Sequence, residues 1–372
     1  MGLGDECLNF IDFALSPSIS SNSIDPRGVL FRLSMHHLSA LTISRLFKLT
    51  LAALLLGGFC ASDVQAQQDP QFTHFVFQPT LYNPAAAGSE RGLDFTALGR
   101  VQWAGLTGAP QTQSLTAHLP LYGLNAGAGV VVLNDIAGSQ RTTSVYAQFA
   151  YRLELSKTAT LGIGVSGGII QQSLDGTELL APEGNYEGGT INHNDDFIPV
   201  GLVSGVSPDL GAGIWLEAGG LNLGVSSTHL LEPTVTYDLG GGSSSIRFNR
   251  NLHVTAAYQF KVGETVSLRP IAGYKTDLNL SMADLGAMIF VQDNIWAGVS
   301  FRTWLSERTD AVSGLVGARI TPRFGVGYSY DYTLSTLNTV SSGTHEVMLK
   351  YLIAIEKPRS GKRINNLRYL HY

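Results

Sequence analysis

Charge is scarce in this chain: Asp, Glu, Lys and Arg make up 14% of its 372 residues and leave a net charge of -5. That balance offers no basic surface and argues against nucleic acid as a partner. Cysteine is nearly absent. Cys7 and Cys60 are the two present, and both precede the first predicted strand, so no disulfide framework can staple the body of the protein. Long apolar runs are missing as well, since the stretch from Leu49 to Phe59 is too short for a membrane-spanning helix. What the chain has in abundance is glycine, 42 residues of it. Small residues with few charges suit a barrel in lipid, where half of each strand faces hydrocarbon and the other half must leave room inside.

The stretch from Thr142 to Gln172 shows the pattern that the rest repeats. Val145, Ala147, Phe149, Tyr151, Leu153 and Leu155 alternate with Ser144, Tyr146, Gln148, Ala150, Arg152 and Glu154. After Ser156-Lys157-Thr158, Leu161, Ile163, Val165 and Ile169 alternate with Thr160, Gly162, Gly164, Ser166 and Gly168. Period-two alternation on both sides of a short turn reads as an antiparallel hairpin. Its runs reach the roughly nine to eleven residues that a tilted strand needs to cross a bilayer.

The fold expected is all-β: a transmembrane, antiparallel, up-and-down β-barrel of about fourteen strands over residues 91–356, with an irregular N-terminal segment. The predicted strands span 91–103, 110–119, 124–134, 141–155, 158–172, 209–218, 220–229, 248–261, 264–275, 279–291, 293–305, 309–320, 323–335 and 343–355. Their connections sort by parity. Ser156-Lys157, Gly219-Gly220, Val262-Gly263, Gln292-Asp293 and Thr321-Pro322 are short, whereas the long connections 173–208, 230–247 and 336–342 fall on the other side. Short periplasmic turns and long outer loops are the habit of bacterial barrels. The expected inward charges are Asp94, Arg100, Arg152, Glu154, Arg269, Lys275, Arg302, Arg319, Arg323, Asp331, Glu346 and Lys350, with mixed signs that suit a braced interior better than a selective pore. Tyr328, Tyr330 and Tyr332 share the outward face with Phe324 and Val326, as suits a bilayer boundary or simply good strand propensity.

The N-terminus reads as an address. Arg45 and Lys48 precede the apolar run, and Val64-Gln65-Ala66 supplies small residues at a cleavage site, so 35–66 is a secretory signal peptide and the mature chain is expected to begin at Gln67. Residues 1–34 fit no such signal, and translation is expected to start at Met35. Cys60 raises a lipoprotein signal as an alternative, with Phe59 a poor residue before a lipidated cysteine. Residues 67–90 are expected to form a periplasmic segment, and 357–372 a basic periplasmic tail.

Between the leader and the first strand run QDPQFTHF and Pro79-Thr80-Leu81-Tyr82-Asn83-Pro84-Ala85-Ala86-Ala87-Gly88-Ser89, whose prolines exclude a continuous strand or helix. These motifs, followed by Arg100-Val101-Gln102-Trp103 and Gly108-Ala109-Pro110-Gln111-Thr112-Gln113, resemble the PorP/SprF family of outer-membrane proteins from the Bacteroidetes type IX secretion and gliding motility machinery. The resemblance runs from about Gln67 into the tail, which has Leu367-Arg368-Tyr369-Leu370 where the family commonly ends in a Pro-Arg-Tyr-aromatic run. It implies a non-enzymatic barrel in the outer membrane that supports secretion or surface anchoring of an adhesin-type client. Implied partners are outer-membrane lipid and either secretion-ring subunits or a peptidoglycan-bound lipoprotein. On that reading Phe72, Phe75, Tyr82, Asn83, Pro84, Arg359, Lys362, Arg363, Arg368 and Tyr369 contact partners.

Motifs for other chemistry are formal only. Gly162-x-Gly164-x-x-Gly167 and Gly164-x-Ser166-x-Gly168 match a dinucleotide fingerprint and a nucleophile elbow, but neither lies at the strand-to-helix turn that such chemistry needs. A lipid hydrolase would require Ser166 beside a lumen histidine. His193-Asn194-Asp195-Asp196 lacks the spaced carboxylates of a calcium loop. His74, His118, His229, His253 and His345 show no zinc spacing, and His118 and His253 are expected to line the lumen. No cofactor or metal is expected. The alternative function is a channel for small hydrophobic solutes, plugged by the N-terminal segment.

Overall fold

The computed structural model describes residues 69–355, apart from 196–197, 240–241 and 306–308. The sequence-based readings of residues 1–68 and of the tail fall outside the described residues.

Fourteen antiparallel strands form one closed ring. They are β1 (Gly92–Val101), β2 (Gln111–Leu121), β3 (Ala126–Ala137), β4 (Gln140–Ser156), β5 (Ala159–Asp175), β6 (Leu202–Ala218) and β7 (Leu221–Thr228). Then follow β8 (Asn251–Tyr258, continued by Phe260–Lys261), β9 (Val266–Thr276), β10 (Ser281–Val291), β11 (Ile295–Trp304), β12 (Thr309–Arg319), β13 (Phe324–Thr333) and β14 (Thr344–Ala354). Each strand pairs with its neighbours in sequence, and β1 closes on β14 from Gly92 opposite Ala354 to Val101 opposite His345. Closure leaves the ring without a first or last open strand, as a sheet in lipid requires because hydrocarbon offers backbone groups no partner.

The alternation read from the sequence sets which side each residue takes. Val145, Phe149 and Leu153 of β4 are exposed on the outside, whereas Ser144, Gln148 and Ala150 are buried within. Glycines make the tight periplasmic turn between β6 and β7: Gly219 and Gly220 both have positive φ, 56° and 102°, which side chains disfavour. No helix among the described residues is long and apolar enough to cross a membrane; the strands cross instead.

Two boundaries differ from expectation. β6 begins at Leu202 rather than 209, and β5 reaches Asp175, which shortens the long outer loop between them. Pro208 disguises this extension, since proline ordinarily breaks a ladder. Here it lies opposite Ile169 of β5, in the part of β6 that β7 does not reach, because β7 pairs only with Ala212–Ala218. The outer loop after β7 is also more regular than expected, folding into a small hairpin of Thr234–Asp238 against Ser243–Arg247.

Candidate functional site

The interior of the ring is occupied by the chain's own N-terminal segment. Short turns and outer loops fix the direction of travel: Asp69 lies beside Thr228, His229 and Lys275 at the outer ends of β7 and β9, and the chain descends to β1 at the periplasmic end. Residues 69–89 are therefore a plug in the lumen, and the expectation of a segment lying in the periplasm is corrected. Prolines cut the descent into three single 3-10 turns, Phe75–Phe77, Pro79–Leu81 and Pro84–Ala86. Asn83 caps the last, its side chain accepting from the Ala85 N–H at 3.0 Å while its amide donates to the Ile214 carbonyl at 2.9 Å.

Three sets of contacts hold the plug. The first is ionic and lies in the outer half of β1 and β10 to β14. Glu346 accepts from the backbone N–H groups of Thr73 and His74 at 2.9 and 2.8 Å and pairs with His74 Nδ1 at 2.7 Å. Arg100 bridges Asp331 and Glu346 at 2.8 and 3.2 Å. Arg302, 1% exposed, binds Asp284 at 3.0 Å and Asp331 at 3.2 Å and donates to Thr73 Oγ1 at 3.1 Å. Buried charges persist only when paired and hydrogen-bonded, and these are both.

The second set is a chain of proton-bearing groups around Asp69. Tyr146 donates to Asp209 at 2.9 Å, Asp209 meets His229 Nδ1 at 2.7 Å, and His229 Nε2 meets Asp69 at 2.8 Å. Thr228 donates to the other Asp69 oxygen at 3.1 Å, and Lys275 donates to the Asp69 carbonyl. Burial alone would lower the His229 pKa, but carboxylates on both its nitrogens outweigh that and push it up to about 10. Burial would raise the Asp69 carboxyl, and His229, His253 and Lys275 instead hold it well below the usual carboxylate range.

The third set is steric. A Cβ on Gly127 of β3 would come 2.0 Å from the Ala87 carbonyl oxygen, and one on Gly164 of β5 would come 2.4 Å from the Ala85 Cα. The small inner face of these strands is thus a seat for Asn83-Pro84-Ala85-Ala86-Ala87-Gly88. On the opposite wall the plug is apolar: Phe72, Phe75 and Tyr82 pack with Ile271, Met288, Phe290, Trp296 and Met348.

The structure separates the expected partner-contact residues. Phe72, Phe75, Tyr82, Asn83 and Pro84 are brought together inside the ring and are buried against its wall. Arg359, Lys362, Arg363, Arg368 and Tyr369 lie outside the described residues. Of the expected inward charges, Asp94, Arg100, Lys275, Arg302, Asp331 and Glu346 are buried in the interior, whereas Glu154, Arg319 and Arg323 are exposed at the periplasmic rim. Asp209 and Asp284 were missed, though each shares parity with inward neighbours, Gly211 and Met282, and could have been read from that. His118 and His253 do line the lumen, His118 Nδ1 accepting from the Gly88 N–H at 3.2 Å. Ser166 sits in mid-strand between Gln148 and Gly211. His193 bonds Tyr186 at 2.9 Å and Asn194 donates to the Glu183 carbonyl at 2.7 Å, so they close their own loop.

A family model for the type IX secretion system membrane protein PorP/SprF matches residues 64–351, most of the chain and all of its plug. The chain belongs to the PorP/SprF family. As a type IX secretion membrane protein built as a closed β-barrel, it resides in the outer membrane. No curated protein matches its sequence. Similar solved structures include the Ralstonia pickettii toluene transporter TbuX, at 11% identity and TM-score 0.44 over 74% of this chain and 92% of that one. The P. putida toluene transporter TodX gives 11% identity and TM-score 0.45 over 74% and 94%. The Acinetobacter baumannii outer membrane protein Omp33 gives 11% identity and TM-score 0.40 over 71% and 99%.

Proposed function

We propose that this PorP/SprF protein is a non-enzymatic docking scaffold of type IX secretion, supporting secretion or surface anchoring of a cognate adhesin-type protein. The observation that carries the reading is the fixed plug. A lumen crossed by a segment held through buried ion pairs and close backbone contact is suited to presenting two faces, not to passing a polypeptide. The outer loops 176–201 and 229–250 would hold the surface client, and the periplasmic rim would meet secretion-ring subunits or a peptidoglycan-bound lipoprotein. The basic tail, with Arg359, Lys362, Arg363, Arg368 and Tyr369, would extend that lower surface.

The test is a pull-down from detergent-solubilised outer membranes. A large secreted protein and periplasmic machinery should co-purify with the barrel, and truncation at residue 356 should release the periplasmic partners while insertion stays normal. Absence of both kinds of partner would sink the proposal. Solute-dependent conductance in planar bilayers would instead favour the channel for small hydrophobic solutes, a reading weakened by the polar and charged wall around much of the plug.

A further inference from the structure

Beneath the plug, at the periplasmic ends of β9 to β14, the lumen widens into a cavity of about 400 Å3. Its charges do not balance. Arg269, Arg319, Arg323 and Lys350 line it, against Glu90 and Asp293. Lys350 is engaged, 3.1 Å from Glu90 and 2.9 Å from Asp94. The three arginines form no ion pair among the described residues, and Gln259 donates to Asp293 at 3.4 Å. Arg269 is steadied by Asn222, whose side-chain oxygen accepts from it at 3.2 Å, and guanidinium groups without a carboxylate partner in a recess form a ready site for planar anions, which they grip in bidentate fashion.

The floor of the cavity is aromatic. Phe77 meets Trp296 with ring centres 5.2 Å apart, and the Arg269 guanidinium lies 5.9 Å over the Phe290 ring. Trp296 is 6% exposed, yet its indole N–H has no acceptor, and neither does the Arg269 Nε. A buried donor without an acceptor is costly, and an incoming oxygen relieves the cost. The excess positive charge points to an anionic guest, and the unfilled donors to one that also carries oxygen acceptors.

We infer that this vestibule receives an acidic peptide segment presented from the periplasm. Its carboxylates would pair with Arg269, Arg319 and Arg323, and its backbone oxygens and apolar groups would lie over Trp296 and Phe290. A peptide fits better than a lipid because the strands wall the cavity off from the bilayer and no described residue closes it toward the periplasm. The inference rests on the reading above that partners dock at this rim, and it adds their chemistry.

Fluorescence anisotropy of a fluorescein-labelled hexaglutamate peptide with the detergent-purified chain tests it. Saturable binding that weakens with salt is expected, at least tenfold weaker in the double variant Arg319→Gln/Arg323→Gln. Both arginines are exposed at the rim, so the variant should keep the wild-type circular dichroism spectrum. Lys157→Gln, beside a different periplasmic cavity, should bind as wild type does. No saturable binding, an equal loss in Lys157→Gln, or displacement by inorganic phosphate or phosphatidylglycerol micelles as readily as by unlabelled peptide would overturn the inference. The pull-down separates the two ideas: partners without peptide binding removes the vestibule alone, whereas peptide binding without partners keeps the site and removes the docking role.

Discussion

Glu346 and His74, 272 positions apart in sequence, are joined twice: through the His74 backbone N–H at 2.8 Å and through its ring Nδ1 at 2.7 Å. The last strand of the ring therefore holds the segment that precedes the first.

Replacing Glu346 with alanine should free the plug more than it harms the ring. It leaves two backbone N–H groups without acceptors and Arg100 with Asp331 alone, and breaking a buried pair of this kind costs about 3 to 5 kcal/mol. Hydrogen exchange should show loss of protection in 69–89 with the strands still protected. Equal loss throughout would mean that plug and wall fold as one unit.

Gly127→Val should expel Asn83 to Gly88 from their seat, because the added Cβ meets backbone rather than a flexible side-chain end. Single-channel conductance should rise above that of the wild type. Gly99→Ala is the control: nothing lies within 4 Å of its added Cβ, and its effect should stay within about 0.5 kcal/mol. A closed lumen in the valine variant would show that the seat is not what holds the plug.

The Asp69–His229–Asp209 anchor should depend on pH. The His229 pKa is raised above its unfolded value of 6.5, so its contribution is full below that value and is lost as pH rises through about 10. Asp69 is depressed, so its contribution is present above its unfolded 3.8 and is lost on acidification. Between these limits the outer end of the plug should be most protected. Proteolysis near Asp69 should accelerate above about pH 10 in the wild type and be fast already at neutral pH in His229→Ala. A variant as protected as the wild type would exclude the anchor.

The position of Asp69 at the outer mouth carries a topological prediction. An epitope placed immediately before Asp69 in the mature protein should be reached by antibody on intact cells. Labelling confined to permeabilised cells would put the segment on the periplasmic side.

Much of the wall was legible because period-two alternation depends on each residue alone. Val145, Phe149 and Leu153 could be assigned to lipid, and Ser144 and Gln148 to the interior, without knowing their neighbours. Pro208 misled for the opposite reason: whether a proline breaks a ladder depends on whether a strand lies on its other edge. The burial of Phe72, Phe75 and Tyr82 was equally hidden, since aromatic residues among prolines look the same whether they meet a partner or their own barrel.

The sequence by itself determined the closed all-β ring, which side chains face in and which face out, and its family, because strand period and ordered motifs are local properties. Tertiary structure alone decided what fills the ring. Thr73 finds Glu346 and Asp331, Ala85 finds Gly164, and Arg269, Arg319 and Arg323 come to line one recess, through distances that become short only when fourteen strands close.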